Sequence, residues 1–134
     1  MRFFSSDAHA SRDTHDREYV LTGCPLVARD DMVVLVDASV RIDVRQDRDT
    51  EVGFNPSEET AWHAVCVLAL RLLAGQVVSE ELLVGRARIV EALEHGIALA
   101  PIGTGVRAHV TEVEVRKYDP AAAELHYEFR VLNA

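Results

Sequence analysis

His63 and Cys66 stand three residues apart, a spacing that puts an imidazole and a thiol on one face of a helix, where a metal could be shared. Zinc takes four such ligands, and no second pair accompanies this one. The two residues therefore read as a solvated histidine beside a packed cysteine, and no metal is expected. His9 and His15 lie in a run of Asp and Arg that offers no rigid scaffold for an ion. Glu91, Glu94 and His95 could form an acid–base group, although charges on an amphipathic helix are ordinarily solvated and nothing in the pattern desolvates them. Gly103-Thr104-Gly105-Val106-Arg107-Ala108 fits a loose dinucleotide fingerprint. That fingerprint has to follow a strand and open a helix, whereas here it follows a helix and opens a strand. A turn is expected, and no cofactor. The chain carries no Gly-x-Ser-x-Gly elbow, P-loop or His-Glu-x-x-His.

The elements that hold these residues begin with a strand. Val34, Val36, Ala38, Val40, Ile42 and Val44 share one parity, while Asp37, Ser39, Arg41, Asp43 and Arg45 share the other. Met32 to Val36 are apolar on both parities, which predicts cover on both faces for the first half and a second half that projects towards solvent. Asn55-Pro56-Ser57-Glu58 then reads as a capped helix start. Trp62, Val65, Cys66, Ala69, Leu72 and Leu73 make its stripe, widened by Ala64, Val67, Leu68 and Leu70, so cover on more than one side is expected. Gly75 offers a left-handed stop.

A second helix starts at Ser79, with Val78 and Leu83 as a staple and Glu80 and Glu81 near the positive end of its dipole. Leu82, Leu83, Ile89, Val90, Leu93 and Ile97 give it one buried stripe, and Gly96 is a candidate early stop before Pro101. The returning strand changes parity near Thr111-Glu112, which predicts a bulge. Asp119-Pro120 reads as a turn, and the alternation of Leu125, Tyr127, Phe129 and Val131 closes the chain with a hairpin strand. The fold class is thus α+β, a β-β-α-α-β-β order in which a two-helix pair packs on an antiparallel or mixed sheet. Residues 1–17 read as a polar, mobile tail and 18–134 as one domain.

Composition narrows the function classes. Net charge is −8, thirteen acidic residues face seven basic ones before residue 60, and Lys117 is the single lysine. Nucleic acid and anionic lipid are disfavoured as partners, since both need clustered Lys and Arg. The longest apolar run, Ala64 to Leu70, is far short of the roughly 20 residues a membrane helix needs, so no direct membrane insertion is expected. Cys24 and Cys66, on a strand and a buried helix face, read as reduced core thiols of a cytoplasmic protein.

Asp31-Met32-Val33-Val34-Leu35-Val36-Asp37-Ala38-Ser39-Val40-Arg41-Ile42-Asp43-Val44 resembles the strand of the SPFH (band 7) superfamily, the stomatin and prohibitin group. Leu70-Arg71-Leu72-Leu73-Ala74-Gly75, then Ser79-Glu80-Glu81-Leu82-Leu83 and Arg86-Ala87-Arg88-Ile89, resemble that family's helical pattern, and Gly105 to Val113 its returning strand. The resemblance covers residues 19 to 118. The family's N-terminal membrane anchor and C-terminal coiled coil have no counterpart in the pattern. What the resemblance implies is a scaffold that forms homo-oligomers and works beside a membrane-protein partner such as a protease or an NfeD-like protein.

Two readings follow. In the first, a non-enzymatic module self-associates or docks on a partner through its helix pair and strand edge, with Leu70, Leu73, Arg71 and Arg86 as interface residues, the arginines as forked donors to carboxylates. In the second, a small α+β enzyme or ligand-binding domain has a pocket between helices and sheet, lined by His63, His109 and Tyr127.

Overall fold

The alternating valines pair as expected, and the pairing builds an antiparallel sheet of four strands in the order β3-β2-β1-β4. A computed structural model describes residues 17–44, 56–100, 106–121 and 126–133. The strands are β1 (Arg17–Val27), β2 (Val33–Val44), β3 (Val106–Lys117) and β4 (Glu128–Asn133). Helices α1 (Pro56–Ala74), α2 (Ser79–Val84) and α3 (Arg86–Leu99) lie between β2 and β3 in sequence and cover one face of the sheet. The fold is α+β. Residues 1–16 of the expected tail, the Asn55 cap, Pro101, the Gly103-Thr104-Gly105 turn and Leu125 lie outside the described residues, while Arg17, counted with the tail, is the first residue of β1 and pairs with Ile42 and Asn133.

Tyr19, Leu21, Cys24 and Leu26 of β1 and Val34, Val36, Ala38, Val40 and Ile42 of β2 are buried on the helix side. Trp62, Cys66, Leu70 and Ala74 of α1 and Ile89, Leu93 and Ile97 of α3 close over them. The opposite face of the sheet carries no helix, which corrects the expectation of double cover for β2: Met32 is 52% exposed and Val33 and Leu35 are half-buried. Nor does the second half of β2 project, because it pairs with β1 as far as Arg17↔Ile42 and with β3 as far as Val44↔Val106.

A hydrophobic stripe that is wide in sequence is not all covered. Leu68 and Leu72 of α1 are 58% and 59% exposed, so this helix has one buried side rather than several. Positions 62, 66, 70 and 74 recur every fourth residue and face inwards, whereas 64, 68 and 72 form a parallel line on the far side. α1 crosses α3 closely, since a Cβ on Gly96 would sit 2.9 Å from the Ala69 Cβ. Gly96 is therefore a contact point and not a stop: α3 runs on to Leu99.

The expected second helix is two, broken at Gly85. Val78 is the N-cap of α2 rather than half of a staple, and its N–H is taken by the Glu81 carboxylate at 3.0 Å. Asp30, from the β1–β2 turn, accepts the Ser79 N–H at 3.2 Å and its hydroxyl at 2.9 Å. With the Arg29 N–H donating to the Val77 carbonyl at 2.8 Å, these bonds tie the hairpin tip to the α1–α2 connection. Gly75 follows α1 but is not left-handed; among the described residues positive φ belongs to Gly23 (69°) and Asp31 (67°).

The bulge near Thr111 is present, because Ser39 pairs with Glu112 while Val40 pairs with Val110. Asp119 accepts the Ala121 N–H at 3.0 Å in a short turn. The last strand differs from expectation in its partner. β4 does not form a hairpin with β3 but crosses to the other edge and pairs with β1, from Arg17↔Asn133 to Thr22↔Glu128. β2 is flanked on both sides by β1 and β3, and of the two outer edges that remain β4 takes that of β1 rather than that of β3.

A second bulge, in β1, interrupts the pairing between Leu21 and Cys24 and holds Gly23 at φ 69°, where an added Cβ would lie 2.5 Å from the His126 carbonyl oxygen. Gly23→Ala should cost about 2 kcal/mol, read from the urea midpoint. At Gly75 a methyl meets only ordinary contacts, so Gly75→Ala should stay within about 0.5 kcal/mol.

Candidate functional site

The β1 bulge advances the chain by one residue and sets Cys24 on the core face, two residues beyond Thr22 on the open one. Beneath α1, Cys24 meets Tyr127, which in turn hydrogen-bonds the His63 Nε2 through its hydroxyl. The His63 ring stacks on Phe129 with centroids 4.0 Å apart and planes 10° from parallel, and Tyr19 stacks on the same Phe129 at 5.8 Å and 14°. Thiol, phenol and imidazole form a chain of polar groups, walled by aromatic rings, where α1 meets β1 and β4.

Burial governs the protonation of every member. It pushes the Cys24 thiol up, with Arg71 and the Tyr127 hydrogen bond acting against it. It pushes Cys66 up to about 12, helped by neighbouring Cys24. Tyr127 is raised by burial and by both thiols, and the His63 imidazole is lowered by burial. All four groups are therefore held neutral. A nucleophilic thiol needs the opposite, an environment that favours thiolate. As it stands the cluster joins α1 to β4, and its polar atoms are spent on one another.

Of the three residues expected to line a pocket, the structure brings His63 and Tyr127 together. His109 is exposed on β3, paired with Arg41 on the face of the sheet that lacks helices, so the three do not converge. Glu91, Glu94 and His95 also separate. Glu94 accepts the Val110 N–H of β3 at 3.0 Å, whereas Glu91 and His95 line an open groove with Leu73, Val77 and Arg88. Among the described residues, no three His, Cys, Asp or Glu side chains gather where they could share a metal ion. Cys24 and Cys66 are free and buried.

The interface residues divide in the same way. Leu70 is wholly buried in the core, which removes it from any surface, and Leu73 is half-buried against that core. Arg71 is exposed on α1 beside Leu72, and Arg86 lines a second groove with Val90 and the Val110–Glu114 stretch of β3. On α1, Leu68 and Leu72 are the large apolar residues left outside, and sequence reasoning placed them in the stripe without separating them from its buried side. Thr60 and Arg71, polar and at helical spacing from the same line, were the available signal. Among the described residues no helix is long and apolar enough to cross a membrane. Comparison with protein-family models and with curated proteins gives no match.

Two outcomes check this account of the cluster. Cys24 and Cys66 should stay unreactive towards an aromatic disulfide reagent in the native state and both should react once urea unfolds the chain. Tyr127→Phe, which leaves the His63 Nε2 unpaired, should cost about 1 kcal/mol in urea unfolding followed by Trp62, the chain's one tryptophan.

Proposed function

We propose that this chain is a non-enzymatic assembly module of the SPFH-like kind its sequence pattern resembles, and that it self-associates through the outward side of α1. The observation that carries the proposal is the pair Leu68 and Leu72, one turn apart and each more than half exposed on a helix whose other side is core. Ala64 extends the line and Arg71 borders it, as a forked donor for a carboxylate on a second copy. In this reading the module works in the cytoplasm, beside a membrane-protein partner such as a protease or an NfeD-like protein. The acidic surface fits a protein partner better than a nucleic acid.

Magnitudes set the expected strength. Full burial of a leucine is worth about 2 kcal/mol, and Leu68 and Leu72 are 58% and 59% exposed, so four such leucines from two copies contribute on the order of 5 kcal/mol. Lost rotational and translational freedom takes back an estimated 4 kcal/mol or more. The balance describes a weak, concentration-dependent association, of the kind that becomes strong only when many copies engage together.

Light scattering with size exclusion across the micromolar range should show a mass that rises with concentration. Leu68→Glu with Leu72→Glu should return the chain to monomer with its unfolding midpoint unchanged, while Leu70→Glu should unfold it. A wild-type chain that stays monomeric throughout, or a double variant that associates like the wild type, overturns the proposal.

The runner-up, a small enzyme or ligand-binding domain, is less favoured, since His63 and Tyr127 hydrogen-bond each other and His109 stands on the other face of the sheet.

A further inference from the structure

β4 is a six-residue edge strand held by its ladder with β1 and by the packing of Tyr127 and Phe129 against His63. We propose that His63 is a proton-operated latch on this strand: protonating the imidazole loosens β4 and frees the β1 edge from Arg17 to Thr22, while β1, β2 and β3 stay paired.

Neutral His63 can accept the Tyr127 hydroxyl proton at Nε2. An imidazolium carries protons on both nitrogens and can only donate, so Tyr127 has to turn its own proton elsewhere. Its other polar neighbour is the Cys24 thiol, and sulfur is a weak acceptor. The new charge would also sit flat against Phe129, partly shut off from water. Stacking on the ring returns part of that loss, since a cation over an aromatic face is attracted to it.

The surrounding charges offer little more. On α1, Glu59 lies one turn before His63, but Arg17 of β1 stands 3.9 Å from its carboxylate. Cys66, three residues on, is a neutral thiol, and Arg71 adds a positive field that already reaches Tyr127 and Cys24. From the β4 side come neutral Tyr127 and exposed His126, while Glu128 and Arg130 pair with each other at 3.8 Å.

The sign of the pH effect follows from the lowered folded-state pKa of His63. The released form takes up a proton at the ordinary histidine value of about 6.5, the latched form only below it. Between those two values the released form binds more protons, so the latch is secure above the ordinary value and weakens as pH falls through the window. The opening equilibrium can change by at most about tenfold per pH unit for one proton.

Backbone hydrogen exchange at about pH 7.5 and about pH 5, corrected for the intrinsic rate, reads this directly. Protection should fall several-fold at the lower pH in β4 and in the β1 amides that face it, and hold in the β2–β3 ladder. His63→Phe keeps a ring on Phe129, and His63→Gln keeps an acceptor for Tyr127. Both should abolish the pH dependence, whereas His126→Gln should leave it. Should the variants fail to fold, the ring protons of His63 in the wild-type chain decide by NMR, with a midpoint below the ordinary value expected. Loss of protection in all strands together, pH dependence that survives in both His63 variants, or a His63 midpoint at or above the ordinary value would falsify the latch.

Discussion

One-sided burial of the β1–β2 pair is the constraint on which the rest of the structure depends. Both strands alternate, and both turn most of their apolar residues, and all those that become core, to the same side, which is the surface the helices cover. α1 and α3 share that surface and press together where Gly96 admits Ala69. A helix bound this way can bury a single line of its circumference, and α1 buries the line through Trp62, Cys66, Leu70 and Ala74. Leu68 and Leu72, on the opposite line, are left outside by geometry. Deleting a side chain from the buried line, as in Leu70→Ala, removes about 2 to 5 kcal/mol of packing, a large part of a small domain's stability.

The polar cluster follows from the same constraint. The last strand joins the outer edge of β1, on the sheet that the helices cover from one side, and this brings Tyr127 and Phe129 beneath the N-terminal half of α1. The bulge at Gly23 then turns Cys24 inwards to meet them. Groups that read in sequence as separate candidates for chemistry, a thiol here and an imidazole there, are assembled by topology into one neutral, mutually satisfied chain. On the uncovered face, Asp37 accepts the Gly23 N–H at 2.6 Å and pairs with Arg116 at 2.8 Å, so the bulge is braced from both sides of the sheet.

Local pattern carried much of this and missed what depends on long-range choices. The parity of β2, the start of α1 at Pro56, the start of α2 at Ser79 and the bulge at Thr111 were legible because each rests on neighbours in sequence. The edge chosen by β4 was not, since a hairpin and a crossover have the same alternation. Cover on both faces of β2 was misread from Met32 to Val36 because apolar residues of both parities also occur where one face alone is covered: Val34 and Val36 are buried, Val33 and Leu35 are half-buried on the open face, and Met32 is exposed at the hairpin tip. The break at Gly85 was visible only as a cost. Periodicity showed that the α1 stripe was wide and could not show which part met the core, and that distinction separates Leu70 from Leu68 and Leu72. The meeting of His63 with Tyr127, 64 residues apart in sequence, had no local signal beyond the presence of both residue types.

The central claim, that the outward line of α1 is a contact between copies, is tested most directly by leucine methyl resonances followed from micromolar to millimolar concentration. The account predicts concentration-dependent shifts at Leu68 and Leu72, with Leu70 and Leu93 of the core unchanged. Shifts that appear only at residues of the β3 edge, or none at any concentration, would contradict it.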